Sequence, residues 1–331
     1  MFGFQWVQAR REQELKQIHS DFSKGRLRLL VTGGAGFIGS NLVDTLVSMG
    51  HIVTVIDNES AECNQEFYWN KEAKNYKYDI SDYDNIRPLF DKIDCVFHLA
   101  AESRMQPAIL NPIQTIKTNV LGTSVVLQCA KEAGVSRVIY STTSSYYGKK
   151  NKTPNTETQT EDCLNAYSVS KVAGEKLCKM YNDLYDLKTI SLRYFNVYGH
   201  REPTVGQYAP VIGLFLKQNR EGNRITVVGS GLQKRDFTNV EDVVRANIIA
   251  ATKDLPFDAF GEAYNIGSGI NYRIHDIASM INSSKITFLP PRIGEAQETL
   301  ANIDKAKDIL GWEPKVSLIE YLSQTIDIPN N

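Results

Sequence analysis

The sequence lacks a long hydrophobic run and has few cysteines. No stretch approaches the roughly 18 consecutive apolar residues of a membrane-spanning helix, so we expect no contact with a membrane. The five cysteines are widely scattered along the chain and form no C-x-x-C pair. This cysteine usage excludes a disulfide framework and a zinc site, and it predicts a cytoplasmic protein without a bound metal.

A surplus of charge of either sign is also missing. The 331 residues include 37 basic and 38 acidic side chains, for a formal net charge of −1. Such a balance provides no general attraction to nucleic acid or to an anionic membrane, so any anionic ligand must be bound by local arginines. With 42% hydrophobic residues, the chain can bury a large core, which excludes extensive disorder.

The first 26 residues differ from a targeting sequence. They begin with apolar and aromatic residues, but a charged run follows and there is no small-residue cleavage site. Leu15, Ile18 and Phe22 lie at helical spacing. We therefore predict a short helical extension over residues 1–26 that packs on the main body.

Residues 27–58 contain a complete unit for binding a dinucleotide. An apolar strand over Leu27–Thr32 leads into a glycine-rich turn and a helix over Phe37–Met49, and a second strand covers Ile52–Ile56. The glycines of the turn are Gly33, Gly34, Gly36 and Gly39. Residues without Cβ permit a tight turn and let backbone N–H groups approach a pyrophosphate at the helix N-terminus. The alternative is an ordinary strand-to-helix turn that merely needs glycine.

The residue that ends the second strand indicates which dinucleotide binds. Asp57 lies where a carboxylate can accept hydrogen bonds from the ribose hydroxyls. An acidic side chain there would repel a 2′-phosphate, and no arginine follows in Asn58–Ser60. The sequence therefore favours NAD over NADP.

Strands and helices continue to alternate after this unit. We predict strands over residues 94–100, 137–141 and 188–192, with helices over 119–133 and 166–185. This alternation is typical of a doubly wound parallel sheet in an α/β protein, where ligands bind at the carboxyl ends of the strands.

The character of the sequence changes at Arg193, after which Gly/Pro-rich loops separate short helices. We expect a smaller C-terminal α/β lobe that closes over the site and binds substrate. The predicted division is an extension at 1–26, a nucleotide-binding domain at 27–192 completed by a segment near 236–266, and the substrate-binding lobe at 193–235 and 267–331.

A tyrosine and a lysine are candidates for proton transfer. Tyr167 and Lys171 lie four residues apart near the start of a predicted helix, so they share one face. An ammonium beside a phenol would favour the phenolate and lower the pKa of the tyrosine. The hydroxyl cluster over Ser141–Ser145 follows a predicted strand at the same sheet edge. Taken alone, the spacing favours an exposed tyrosine and an unrelated lysine, but the hydroxyl cluster reverses this preference.

From Leu27 to its C-terminus, the chain resembles the extended short-chain dehydrogenase/reductase family, in particular its nucleotide-sugar epimerases and dehydratases. The resemblance rests on these ordered motifs: TGGAGFIGS (32–40), YDISD (78–82), HLAAES (98–103), NVLGT (119–123), STTSSYYG (141–148), YSVSK (167–171), RYFNVYG (193–199), RDFTNVEDV (235–243) and RIGEAQETL (292–300). It implies a Rossmann-type fold with tightly bound, recycled NAD.

The same resemblance assigns residues to the cofactor. Asp57 would bind the adenosine ribose, and Lys171 would hold the nicotinamide ribose as well as assist Tyr167. The full implied cofactor set is Gly33, Gly36, Phe37, Ile38, Gly39, Asp57, Asn58, Asp79, Ile80, Leu99, Ala100, Ala101, Tyr167 and Lys171.

For catalysis, the resemblance implies Thr143, Tyr167 and Lys171, with Tyr167 as the base. For the substrate, Asn196 would contact the diphosphate of a UDP-sugar, and Arg235 and Arg292 would meet phosphate or ribose. The further implied substrate contacts are Ser103, Thr143, Ser144, Glu295 at the uridine ribose and Thr299.

The residues after Thr143 suggest the reaction. Family dehydratases are similar in carrying Asp–Glu there, and decarboxylases tend to place a glutamate at the second position, whereas this chain has Ser144 and Ser145. The resemblance therefore implies 4-epimerisation of a UDP-hexose through a 4-keto sugar. A small residue at the position of Thr299 implies room for a 2-acetamido group, as in UDP-GlcNAc and UDP-GalNAc, beside UDP-glucose and UDP-galactose.

Alternatives remain open at this point. Another nucleotide-sugar enzyme of the family (a 4,6-dehydratase, a UDP-glucuronate decarboxylase or 4-epimerase, or a keto-sugar reductase) would share most of these motifs. A non-catalytic NAD-bound regulatory or scaffold protein is an alternative of another class. The resemblance also implies a homodimer that pairs helices within 107–133 and 166–185.

Overall fold

A computed structural model describes residues 25–61, 64, 66–204, 209–291 and 296–326 of the chain. Nearly all of the helical extension predicted for residues 1–26 lies outside the described residues. So do Arg292 and Glu295, which therefore remain predictions from the sequence.

The larger part of the protein is built on a seven-stranded sheet in which all neighbouring strands are parallel, in the order β11-β6-β5-β4-β1-β2-β3. The strands are β1 Arg28–Thr32, β2 Ile52–Ile56, β3 Lys74–Tyr76, β4 Cys95–His98, β5 Arg137–Thr143, β6 Lys188–Tyr194 and β11 Glu262–Ile266. This order confirms the predicted doubly wound parallel sheet of the Rossmann type, since the chain moves outward from β1 in both directions.

Helices cover both faces of this sheet. They are α1 Phe37–Ser48, α2 Tyr83–Ile86, α3 Met105–Leu110, α4 Pro112–Ile116, α5 Thr123–Glu132, α6 Ala166–Tyr185 and α8 Val240–Thr252. Alternate residues of β1 explain the two layers, because Leu29 and Val31 belong to one buried cluster and Leu30 to the other. The central strands are therefore apolar on both faces.

The smaller lobe surrounds a separate core in which Tyr198, Phe215 and Ile277 are buried. Its helices are α7 Val211–Arg220, α9 Ile274–Asn282 and α10 Leu318–Ile326. Its short strands are β7 Val197–Tyr198, β8 Ile225–Val228, β9 Lys234–Asp236, β10 Thr238–Asn239, β12 Asn271–Arg273 and β13 Ile286–Leu289. They pair two by two, as β7 with β10, β8 with β13 and β9 with β12.

Several boundaries differ from the sequence predictions. The helix expected over 119–133 is preceded by a wider π-helical turn over Lys117–Gly122, and the regular helix begins at Thr123. Strand β6 runs two residues beyond the expected end at Leu192, because β11 pairs with it through Tyr194. Tertiary pairing, rather than local pattern, sets these ends.

Candidate active site

A cavity of about 450 Å³ lies where the carboxyl ends of the parallel strands face the smaller lobe. Its wall contains the glycine-rich turn after β1, the end of β5 and the first turns of α6. From the smaller lobe it contains residues of α7, β8 and β9. The cavity therefore brings the predicted cofactor residues and most of the described substrate residues into one space.

The glycine-rich turn needs glycine for two different steric reasons. Gly33 has φ +70°, and a Cβ there would lie 2.7 Å from the backbone nitrogen of Ala100. A Cβ on Gly39 would overlap the carbonyl oxygen of Gly33, so its absence lets α1 pack against the turn. Gly36 is different, because its Cβ would meet nothing closer than 3.5 Å and would project toward the cavity.

The N-terminus of α1 opens into the cavity beside Gly36. No side chain caps this helix, and its first turn contains no acidic residue. The partial positive charge and unbonded N–H groups of a helix N-terminus favour an anion such as a pyrophosphate. The turn therefore fits the diphosphate of a dinucleotide, with space for it in front of Gly36.

Asp57 is held by the backbone of the same turn. Its carboxylate accepts hydrogen bonds from the N–H of Ala35 at 3.1 Å and of Glu59 at 2.8 Å. Burial nevertheless raises the pKa of Asp57 above its ordinary value. Asn58 also lines the cavity and donates to the carboxylate of Asp79 at 3.1 Å.

Of the cofactor residues implied by the resemblance, only Asp79 does not line the cavity. Its carboxylate instead accepts hydrogen bonds from Ser81 and Asn58. Burial acts to raise the pKa of Asp79, but these hydrogen bonds outweigh burial and hold the pKa below its ordinary value. Asp79 therefore orients Asn58, and its contact with the cofactor stays a prediction.

Tyr167 and Thr143 meet at the cavity wall. Asn165 caps α6 by accepting from Ser168 N–H at 2.9 Å, which places Tyr167 in the first helical turn. Thr143 ends β5, lines the same cavity, and accepts a hydrogen bond from Ser145 N–H at 3.1 Å through its hydroxyl. Burial raises the pKa of Tyr167, while the nearby Thr143 hydroxyl and the charge of Arg104 act to lower it.

Lys171 lies one helical turn after Tyr167 in α6, but its ammonium contacts other groups. Its ammonium donates to the carbonyl oxygen of Ser141 at 2.7 Å and lies 4.8 Å from the centre of the Tyr140 ring. Burial lowers the pKa of Lys171 to about 7. The expectation that Lys171 lowers the pKa of Tyr167 is therefore not what the structure shows, because a backbone carbonyl binds the ammonium.

A buried network supports this end of the sheet and was missed from the sequence. Arg193 on β6 donates to Glu175 on α6 at 2.7 Å and to the hydroxyl of Tyr147 at 3.0 Å. Thr142 donates to Glu175 at 2.7 Å. A signal existed, since Glu175 follows Lys171 by one helical turn and Arg193 begins RYFN. The network fixes the strand end that carries Thr143.

The implied substrate residues that the structure describes fall into two groups. Asn196 lines the cavity and donates to the carbonyl of Asp236 at 2.9 Å and to the Thr299 hydroxyl at 3.4 Å. Thr299 itself is buried behind Asn196 and does not line the cavity. The residues of this set that do line it are Ser103, Thr143, Ser144, Asn196 and Arg235.

Two charged side chains of the cavity wall were not selected from the sequence. Arg104 directly follows the HLAAES motif and begins α3. Glu202 follows RYFNVYG, is buried, and accepts from the N–H of Gly199 at 3.3 Å. Burial raises the pKa of Glu202 to about 8. No local sequence pattern predicts that Arg104 and Glu202 line the cavity, because only the packing of the two lobes brings these side chains together.

Two predicted absences can be compared with the described part of the chain. Within it, no helix is both long and apolar enough to cross a membrane. Over the same residues, no group of three or more histidine, cysteine, aspartate or glutamate side chains could hold a metal ion.

Comparison with known proteins identifies the class. Residues 29–267 match the family described as the NAD-dependent epimerase/dehydratase family. The chain is 31% identical over 315 residues to a UDP-glucose 4-epimerase of Mycolicibacterium smegmatis, covering 92% of this chain and 99% of that protein. The chain therefore belongs to the NAD-dependent epimerase/dehydratase family, and NAD is its cofactor.

Solved structures agree with this assignment. The UDP-glucose 4-epimerase of Thermotoga maritima with UDP-glucose is 34% identical, with a TM-score of 0.85 over 91% of this chain and 98% of that chain. MoeE5 in complex with UDP-glucuronic acid and NAD is 29% identical, with a TM-score of 0.81 over 92% of this chain and 98% of that chain. The family motifs and the Rossmann-type fold predicted from the sequence are thereby confirmed.

Proposed function

We propose that the protein catalyses NAD-dependent 4-epimerisation of a UDP-hexose. The observation that carries this proposal is that Tyr167 and Thr143 line one cavity, next to two serines in place of ionisable acids. Ser144 and Ser145 cannot act as the acid and base that elimination of water would require. The pair suits removal and return of one proton at one sugar oxygen.

The residues of the site divide the work as follows. Tyr167 accepts the proton of the sugar 4-hydroxyl, and Thr143 hydrogen-bonds the same oxygen. Lys171 lies one turn further along α6, where the Ser141 carbonyl holds its ammonium, and it would bind the nicotinamide ribose of NAD. Bound NAD would supply the hydride acceptor and donor at C4, and the sugar between these two transfers would be a transient 4-keto sugar. Asn196 and Arg235 would hold the diphosphate while the 4-keto sugar rotates to present its opposite face.

The space near Asn196 is the basis for proposing which hexose the site accepts. The small Thr299 is tucked behind Asn196, bonded to it and to the N–H of Asp236 at 3.3 Å. A larger side chain there would have to displace Asn196 or extend into the cavity. The arrangement supports acceptance of a 2-acetamido group, so UDP-GlcNAc and UDP-GalNAc are proposed beside UDP-glucose and UDP-galactose.

The proposal is tested by the products. Purified protein is incubated with UDP-glucose, UDP-GlcNAc and UDP-glucuronate, and the products are analysed by mass spectrometry and NMR. A 4-epimer has unchanged mass, whereas loss of water or of carbon dioxide would show a dehydratase or a decarboxylase and refute the proposal. We expect NAD to copurify and turnover to need no added cofactor. Bound NAD without any product would favour the non-catalytic alternative.

An exposed apolar surface supports the proposed homodimer. Helices α3, α4 and α6 pack side by side and expose large apolar side chains, among them Ile113 with 82% and Leu184 with 67% of its surface exposed. The other members are Ile109, Leu110, Ile116, Leu121, Val169, Met180 and Tyr185. So much exposed apolar surface is typical of an interface. Sedimentation should show a dimer that Leu184→Arg converts to monomer, and a wild-type monomer would contradict the proposal.

A cytoplasmic location also remains a proposal. Four of the cysteines lie in the described residues, and all four are free thiols: Cys95, Cys129, Cys163 and Cys178. Free thiols suit a reducing compartment. Fractionation of the source cells with an antibody against the protein would test it, and recovery outside the cytoplasm would refute it.

A further inference from the structure

Arg104 presents a charge to the cavity that forms an ion pair with no acidic side chain of the described residues. It lines the cavity wall, and its buried Nε has no hydrogen-bond partner. Among the described residues, its guanidinium forms no ion pair within 4 Å. The other arginine of the wall, Arg235, donates to the carbonyl oxygen of Lys234 at 2.9 Å.

A guanidinium in this situation is unusual. Buried donors are nearly always hydrogen-bonded, because an unpaired one loses its interactions with water without replacement. The buried guanidinium of Arg193, by contrast, is paired with Glu175 at 2.7 Å. An arginine left without a partner beside a reacting centre indicates that a ligand supplies the anion.

The surroundings of Arg104 locate it on the sugar side of the cavity. The next residue, Met105, places its sulfur 4.0 Å from the hydroxyl of Ser145, two residues after Thr143, and the charge of Arg104 acts to lower the pKa of the Tyr167 phenol. It also acts on Glu202, which belongs to the smaller lobe. Glu202 does not neutralise it, because burial raises the pKa of Glu202 to about 8 and keeps this carboxyl mainly protonated at neutral pH.

We propose that Arg104 binds a carboxylate carried by the hexose next to the carbon that is epimerised, so that UDP-sugars with an acidic hexose are substrates beside the neutral ones proposed above. This inference rests on the proposed function, in which Tyr167 marks the 4-hydroxyl. The groups within reach of a side chain beside that oxygen are those on C3 and C5. A planar guanidinium matches a carboxylate with two parallel hydrogen bonds, which a hydroxymethyl group cannot accept.

The proposal is independent of the space near Thr299. That space concerns the substituent at C2, whereas Arg104 concerns the substituent beside C4. The diphosphate is a second source of anionic oxygen, but Asn196 and Arg235 are available for it on the β9 side of the cavity. Epimerisation leaves the carboxylate intact, and an ion pair with Arg104 opposes its loss, because departing carbon dioxide is neutral and would leave the guanidinium unpaired.

The test compares binding of UDP-glucuronate and UDP-glucose by isothermal titration calorimetry. A Tyr167→Phe background prevents turnover, and Arg104→Gln, Arg104→Lys and a control, Arg224→Gln, are introduced into it. Arg224 is an exposed arginine outside the cavity wall. We expect the parent to bind UDP-glucuronate more tightly than UDP-glucose. Arg104→Gln should weaken the binding of UDP-glucuronate about 10- to 100-fold with little effect on the binding of UDP-glucose.

Each alternative outcome is decisive. Equal weakening of both ligands would place Arg104 on the diphosphate, and loss of copurified NAD would place it on the cofactor; either would overturn the proposal. Arg104→Lys keeps the charge and should retain part of the preference, whereas Arg224→Gln should retain all of it. Since binding is measured without turnover, failure of the epimerase reaction would appear in the product assay and not here.

Discussion

The two walls of the cavity recognise ligands in different ways. On the cofactor side the contacts offered are mainly backbone: a glycine-rich turn, the N-terminus of α1, and Asp57 held by backbone N–H groups. On the substrate side they are side chains, such as Asn196, Arg235 and Arg104. Backbone recognition needs small residues at fixed spacing, whereas side-chain recognition needs distant elements to pack correctly. The first is therefore readable from a short motif and the second is not.

The largest effect is expected where the two walls meet, at Tyr167. Tyr167→Phe removes the proton acceptor but keeps the ring that packs in the first turn of α6. We expect turnover to fall about 10²- to 10⁴-fold, with copurified NAD and thermal stability retained. The measurements are a product assay, NAD released on denaturation, and a melting curve. A near-normal rate would exclude Tyr167 as the base. Loss of NAD would mean that Tyr167 is needed for cofactor binding as well as for catalysis.

A pair of glycine substitutions tests whether the cofactor wall is truly made by backbone. Gly36→Ala places a methyl group in ordinary van der Waals contact at the helix N-terminus, with nothing closer than 3.5 Å, so the protein should fold normally but lose bound NAD. Gly39→Ala would drive Cβ into the Gly33 carbonyl, so it should also lower the melting temperature. NAD content and melting curves of both variants distinguish the two roles. An unchanged NAD content of the Gly36→Ala variant would mean that the diphosphate of NAD lies elsewhere.

The smallest effect is expected from Glu202 on the substrate wall. Its pKa in the folded protein is about 8, raised by burial from an ordinary value of 4.5, so the folded state holds its proton over this range while the unfolded state does not. The contribution to stability is fully present below pH 4.5 and is lost as the pH rises through 8. Glu202→Gln should therefore raise the melting temperature relative to wild type at pH 8 and not at pH 4.5.

The matched control for that experiment is Glu72→Gln, since Glu72 is exposed outside the cavity. It should change the melting temperature little at either pH. An identical change in both variants across the pH range would show that burial of Glu202 has no special consequence, and would weaken the contrast between the walls.

The sequence predicted much of the fold because its patterns are local. The helix over Ala166–Tyr185 and strand Ile52–Ile56 were predicted with the bounds that the structure shows. Predictions were less accurate where a distant strand decides the outcome, as at the end of β6, which β11 extends to Tyr194. The direct influence of Lys171 on Tyr167 was also wrongly expected, because helical spacing does not show that Ser141 offers its carbonyl to the ammonium.

By itself, the sequence determined the class of this protein, because the ordered motifs from TGGAGFIGS to RIGEAQETL resemble those of the NAD-dependent epimerase/dehydratase family that the comparisons confirm. These signals act within one strand, one turn or one helix, so their order along the chain is enough. Only the tertiary structure decided that Asp79 orients Asn58, that Thr299 lies behind Asn196, and that Arg104 faces the cavity unpaired. These facts depend on contacts between residues far apart in sequence, and no local pattern records which side chain another element leaves without a partner.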